Sequence, residues 1–120
     1  VTGLKRGHPL SKRELFVPYL IVETCATLEE AVREANGTDF GLMTGIFSED
    51  PKETEYFFEN IQSGVTYANR RGGTTTGAWP GSQPFGGRKA SGSIEKGVDG
   101  PWYLLSYLRE LAQSRVSEST

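Results

Sequence analysis

The residues with the most chemical scope lie in one stretch, TTTGAWPGSQPFGGRKASGS, residues 74–93. Glycine, serine and threonine make turns, yet the stretch also holds Trp79, Pro80, Pro84 and Phe85. Glycines let a backbone approach a ligand closely, and free N–H groups in turns can cradle an anion. The two prolines stiffen the path, while Trp79 and Phe85 supply apolar wall. Composition leaves two readings open here: a substrate-facing loop, or a surface loop whose aromatics tuck into the core. A phosphate loop is excluded. Gly87 and Gly92 have the right spacing, but Ser93 and Ile94 follow where Lys and Ser or Thr are required, and neither flanking strand nor helix is in place.

Other reactive side chains are few. His8 is the only histidine and Cys25 the only cysteine, too few of the usual ligands for a zinc site. A Ser-His-Asp arrangement would have to rest on a loop histidine, so His8 reads as a surface residue. Cys25 ends an apolar run, where cysteine commonly serves as a small buried hydrophobe. Nothing beside it in the sequence would lower a thiol pKa and make a nucleophile.

At 120 residues the chain has the length of one domain. Its 13 basic and 15 acidic residues nearly balance, and the basic pairs are scattered. That pattern excludes the clustered positive face of a nucleic-acid module. No apolar run approaches a membrane span, and no signal-peptide core is visible at Val1 onward. With one cysteine there is no internal disulfide, so a reducing compartment, the cytoplasm, is expected. The chain opens without methionine on a polar lead-in, residues 1–13, which suggests a piece of something longer.

Positioning elements follow from Glu14 onward. Leu15–Val22 is apolar at odd and even positions alike, as in a strand covered on both faces, with Pro18 favouring a strand start, edge or bulge. Thr27 and Glu30 form a capping box ahead of Leu28, Ala31, Val32 and Ala35 at helical spacing, and Gly37 ends that helix. Leu42–Phe47 reads as a second strand. Asp50, Pro51 and Glu53 start a second helix with Phe57, Phe58 and Ile61 as its apolar stripe, closed by Gly64. Val65–Asn69 reads as a third strand. Strand, helix, strand, helix, strand predicts an α/β fold with a three-stranded parallel βαβαβ core. The Gly-rich loop then leaves the carboxyl end of a strand, where such sheets bind ligands. Asp99–Pro101 starts a short C-terminal helix that passes into an extended arm.

The segments ELFVP, ANGTDFGL, GIFSEDP, GVTYAN and QPFGGRKASG, in this order, resemble the C-terminal part of the aldehyde dehydrogenase superfamily. TGAWPGSQPFGG is similar to the pyrroline-5-carboxylate dehydrogenase branch, which oxidises glutamate-γ-semialdehyde with NAD. The resemblance implies that residues 14–111 are the second half of an α/β catalytic domain and that residues 112–120 are a frayed tail. It implies that the tail region contributes to subunit association. By the same resemblance Glu14 contacts the nicotinamide ribose and Phe16 packs near the nicotinamide. Gly77 and Ala78 present backbone N–H groups to the substrate α-carboxylate, and Phe85 lies beside the aldehyde chain. Converging N–H donors and an apolar wall suit a carboxylate carried on methylenes.

No catalytic residue is carried over. The family's nucleophilic cysteine, general-base glutamate and Rossmann domain lie upstream of the matching region, and Cys25 falls on the wrong side of Glu14 to match the nucleophile. Covalent aldehyde oxidation needs a thiolate and a hydride acceptor beside it. Two expectations follow. The chain is a fragment of an NAD-dependent semialdehyde dehydrogenase, inactive alone and associating with a missing N-terminal half or with itself. Alternatively, it is a complete non-catalytic protein that reuses the half-domain for association or for binding a small anion.

Overall fold

Two well-capped helices set the frame. The structure, a computed structural model, describes residues 1–71, 79, 82–92, 97–98 and 100–116. Helix α1 spans Leu28–Asn36, with Thr27 in an extended conformation and its hydroxyl accepting the Glu30 N–H at 3.2 Å. Glu30 does not close the box on Thr27. Its carboxylate reaches one residue further and accepts the Ala26 N–H at 2.8 Å, while its other oxygen pairs with Arg6. Helix α2 spans Pro51–Asn60, and Asp50 accepts the Lys52 N–H at 2.8 Å. Glu53 completes this start indirectly: it accepts the Ser48 hydroxyl, whose oxygen accepts the Asp50 N–H. α2 ends at Asn60, before Gly64, because Ile61 turns to extended backbone.

The core lies between the helices. Val32 of α1 meets Phe57 and Ile61 at the end of α2, with Leu28, Tyr56 and Ile46 packed around them. Phe57 is 3% exposed. Phe58, expected on the same stripe, is instead exposed. Phe57 and Ile61 are four residues apart and share a face, while Phe58 is rotated about 100° away. Asn36 ties the helix ends together, donating to the Asn60 carbonyl and accepting the Gln62 N–H, both at 2.8 Å.

Four short strands accompany the helices: β1 Phe40–Gly41, β2 Met43–Ile46, β3 Val65–Ala68 and β4 Arg88–Lys89. β2 and β3 pair in parallel, Met43 opposite Val65 through Ile46 opposite Ala68, around the α2 crossover. Asn69, at φ +55°, locks the end of this pair: its side chain accepts the Ser48 N–H at 3.0 Å and donates to the Ser48 carbonyl at 2.8 Å. β1 and β4 form a separate antiparallel pair.

The expected three-stranded parallel core is therefore two-stranded. Leu15–Val22 forms no strand; its one ladder contact is a bridge from Val22 to Thr2. A doubly covered strand needs neighbours on both edges and both faces, and none is present here. Pro18 offers no N–H and Phe16 lies at φ +49°, so the run also lacks continuous extended backbone. Phe16, Val17, Leu20 and Val22 are consequently exposed. Cys25, expected to be buried, is exposed for the same reason.

The C-terminal stretch matches its reading. Tyr103–Tyr107 is a single 3-10 helix, and residues 108–116 continue without regular structure and with most apolar side chains in solvent. The radius of gyration is 20.3 Å. A globule of this length would have about 14 Å. The molecule measures 84 × 33 × 24 Å, elongated because both flanks stand away from the helical core.

Candidate functional site

The described part of the Gly-rich segment has two differently built halves. From Pro84 to Gly92 it folds back on the core. Phe85 is half-buried and forms an antiparallel bridge with Val98, donating at 2.7 Å and accepting at 3.0 Å. Arg88–Lys89 pairs with β1, and Ala90 donates to the Asp39 carbonyl at 3.0 Å. Lys89 stands at φ +54° and reaches the C-terminal end of α1, its Nζ donating to the carbonyls of Asn36 at 2.7 Å and Thr38 at 3.1 Å. A cation at this end of a helix also opposes the helix dipole favourably.

Glycine is required here for backbone-to-backbone contact. A side chain at Gly64 would overlap the Gly86 carbonyl, and one at Gly97 would overlap the Phe85 backbone. The glycines of this half thus bring chain against chain. Sequence composition pointed to close approach, but the partner is the protein's own backbone.

The other half is anchored at its two ends. Arg70, just beyond β3, lies with its guanidinium carbon 4.7 Å from the centre of the Trp79 ring. The Trp79 backbone is fixed in turn: its N–H donates to the Gln83 side chain at 2.9 Å, and its carbonyl accepts the Gln83 N–H at 3.0 Å. Trp79 is 56% exposed. Gly77 and Ala78, expected to hold a carboxylate, lie outside the described residues.

Glu14 is exposed and lines a groove of 430 Å³ with Lys12, Thr38, Phe40 and Ser91. The groove brings Glu14 to the Ala90–Ser91 end of the Gly-rich segment, while Phe16 and Phe85 lie outside its lining. A solvent-facing carboxylate beside a polar cleft fits two ribose hydroxyl donors, since each of its oxygens can accept. Phe16 is 91% exposed, an open aromatic face. The residues present therefore suit the edge of a dinucleotide.

A larger groove was not read from the sequence. It has a volume of 1120 Å³ and lies where β2 and β3 end against α2, between Phe47 and Phe58 and rimmed by Glu49, Glu55, Glu59 and Arg71. Its signal was available: a strand followed at once by an Asp-Pro helix start puts that helix's first turns beside the strand's end. Three carboxylates make it a poor receptor for an anionic substrate, so size does not identify the site.

The strongest electrostatic feature is structural. Arg6 and the Ala26 N–H hold the Glu30 carboxyl well below its ordinary value, at about 2, and Arg33 adds attraction. Glu30 in turn raises the Arg6 guanidinium. The Glu29 carboxyl is lowered by its own backbone N–H and by Thr27. His8 serves the lead-in similarly, its Nδ1 accepting the Leu10 N–H at 3.1 Å and starting the short 3-10 turn Pro9–Ser11.

Residues 1–110 match the aldehyde dehydrogenase family model. The chain belongs to the aldehyde dehydrogenase family. Among curated family members, the N-succinylglutamate 5-semialdehyde dehydrogenase of Vibrio cholerae is 38% identical over 120 residues, all of this chain and 23% of that protein. Among solved aldehyde dehydrogenase-related structures, proline utilization A from Corynebacterium freiburgense superposes with a TM-score of 0.81 at 34% identity, over 99% of this chain and 12% of that one. A point mutant of the Thermus thermophilus 1-pyrroline-5-carboxylate dehydrogenase gives 0.80 at 33% identity, over 90% of this chain and 20% of that one. The chain thus spans about a quarter or less of the length of these relatives.

Proposed function

We propose that this chain is the C-terminal part of an NAD-dependent dehydrogenase for a semialdehyde bearing a carboxylate, in the first instance glutamate-γ-semialdehyde. The observation that carries this reading is the likeness to the pyrroline-5-carboxylate dehydrogenase over 90% of the chain. In that role Glu14 accepts from the nicotinamide ribose, Phe16 covers the nicotinamide, Gly77 and Ala78 hold the carboxylate, and Phe85 forms the apolar wall. NAD supplies the hydride acceptor when bound; the residues of this chain bind and orient. The exposed apolar run from Phe16 to Val22 is then surface that the rest of the enzyme covers. The working protein is cytoplasmic and self-associates, with no role for nucleic acid or membrane.

A second substrate has its own support, because the Vibrio cholerae relative acts, by its name, on N-succinylglutamate 5-semialdehyde. Both candidates share a glutamate semialdehyde skeleton and differ at the acylated nitrogen. Steady-state kinetics of the longer enzyme carrying this chain, on the free semialdehyde, its N-succinyl derivative and an uncharged aldehyde of equal length, test the assignment. The two carboxylated substrates are expected to lead, with the free one ahead. Equal kcat/KM for all three would overturn the carboxylate anchor, and a lead for the N-succinyl compound would reassign the substrate. NADH formation by the 120-residue chain alone would contradict its role as a binding wall without the nucleophile.

A further inference from the structure

We infer that Arg70 and Trp79 form a positioning clamp that sets substrate affinity by closing the base of the segment between them, an inference that rests on the carboxylate-anchor reading. Arg70 follows the end of β3 directly, so its backbone is tied to the sheet through the Asn69–Ser48 lock. Trp79 is bonded to Ala78, one of the two residues proposed to hold the carboxylate. The guanidinium sits 4.7 Å from the indole centre, within the range of an attractive cation–π contact. The same tryptophan is held from its far side by paired contacts with Gln83, one through the Gln83 side chain and one through its backbone. Eight residues of turn-forming sequence, 71–78, are therefore bracketed between two anchored points.

A half-exposed tryptophan has little burial to gain at this position, and a leucine would fill the same space. Its advantage is the face it offers Arg70. Fixing both ends of a loop lowers the ordering cost that a ligand meets when it binds between them. The clamp touches neither aldehyde carbon nor cofactor in this scheme; it acts through the backbone of Gly77 and Ala78.

The test uses the longer enzyme for kinetics and the 120-residue chain for a readout free of activity. Trp79→Leu should raise KM for the carboxylated aldehyde roughly two- to five-fold with kcat little changed, the size of one exposed cation–π contact. KM for the uncharged aldehyde should not move. Trp79→Phe, which keeps an aromatic face, should restore most of the loss, and Arg70→Gln should add nothing in the Trp79→Leu background. In the isolated chain, Trp79→Leu should speed tryptic cleavage after Arg71. Unchanged proteolysis together with additive Arg70 and Trp79 effects would overturn the clamp even if the wild-type enzyme prefers the carboxylated aldehyde. Coupled effects and faster proteolysis without any wild-type substrate preference would instead keep the clamp and overturn the carboxylate anchor.

Discussion

Residues 27–69 and the two strips that flank them are built from similar side chains and end up in opposite environments. The central unit buries Val32, Phe57, Ile61 and Val65 and seals its helix starts with Thr27 and Asp50. The strips, residues 16–22 and 102–116, carry Phe, Val, Leu, Trp and Tyr in comparable density and leave nearly all of them in solvent. Apolar content does not bury itself. The central unit has caps that start its helices, a crossover that returns β3 beside β2, and a shared face for each helix to cover. The strips are apolar on every side and have no second layer among the described residues.

This contrast predicts where substitutions should matter. Phe57→Ala should have the largest effect, about 3–5 kcal/mol, because it empties the centre of a small core. Urea unfolding of the chain followed by far-UV circular dichroism measures it, and a loss below about 1 kcal/mol would show that the central unit is not the stabilising one. Gly64→Ala should come next, at about 1–3 kcal/mol, since the new methyl would push the Gly86 carbonyl away and loosen the folded-back half of the Gly-rich segment. Amide exchange should then rise at Phe85 and Val98, while α1 keeps its protection.

Thr27→Ala removes one cap and should cost about 1 kcal/mol, read as a lower melting temperature, with Thr27→Asn restoring it. The Arg6–Glu30 contact ties the lead-in to this same cap and should report through pH. Glu30 has a lowered carboxyl in the folded chain, so its contribution is present above the ordinary carboxylate range and is lost as pH falls through about 2. The stability difference between the wild type and Glu30→Gln should therefore shrink steadily on acidification. A difference that stays constant would remove the ion pair from the fold. The smallest effect belongs to the strips: Leu104→Ser, at a position 71% exposed, should change stability by less than about 0.5 kcal/mol. The same substitution should raise solubility if that surface drives self-association.

Sequence reasoning reached furthest where the causes are local. The starts of α1 and α2 were readable because an N-cap side chain and its N–H partner lie within three residues of each other. β2 and β3 were readable because each is a short apolar run between strong stop signals, and the helix between them forces a parallel return. The 3-10 turn and extended arm at the C-terminus followed from a start signal with no sustained helical spacing. Leu15–Val22 misled because apolar composition records what a segment tolerates when covered, and not whether anything covers it.

The amino-acid sequence by itself therefore determined the helices, the crossover and, through its motifs, the family. These depend on neighbours in the chain and on residue patterns that persist whatever surrounds them. Tertiary structure alone decided that Glu30 reaches past its own cap to Ala26 and Arg6, and that Lys89 ends on the carbonyls of α1. It also brought Arg70 under Trp79 and turned Gly87, Gly92 and Gly97 toward protein backbone. Each of these contacts joins groups far apart in sequence or picks one partner among many. A hydrogen-bond donor, a cation or a missing Cβ states what kind of neighbour it accepts, and only the folded path selects which one.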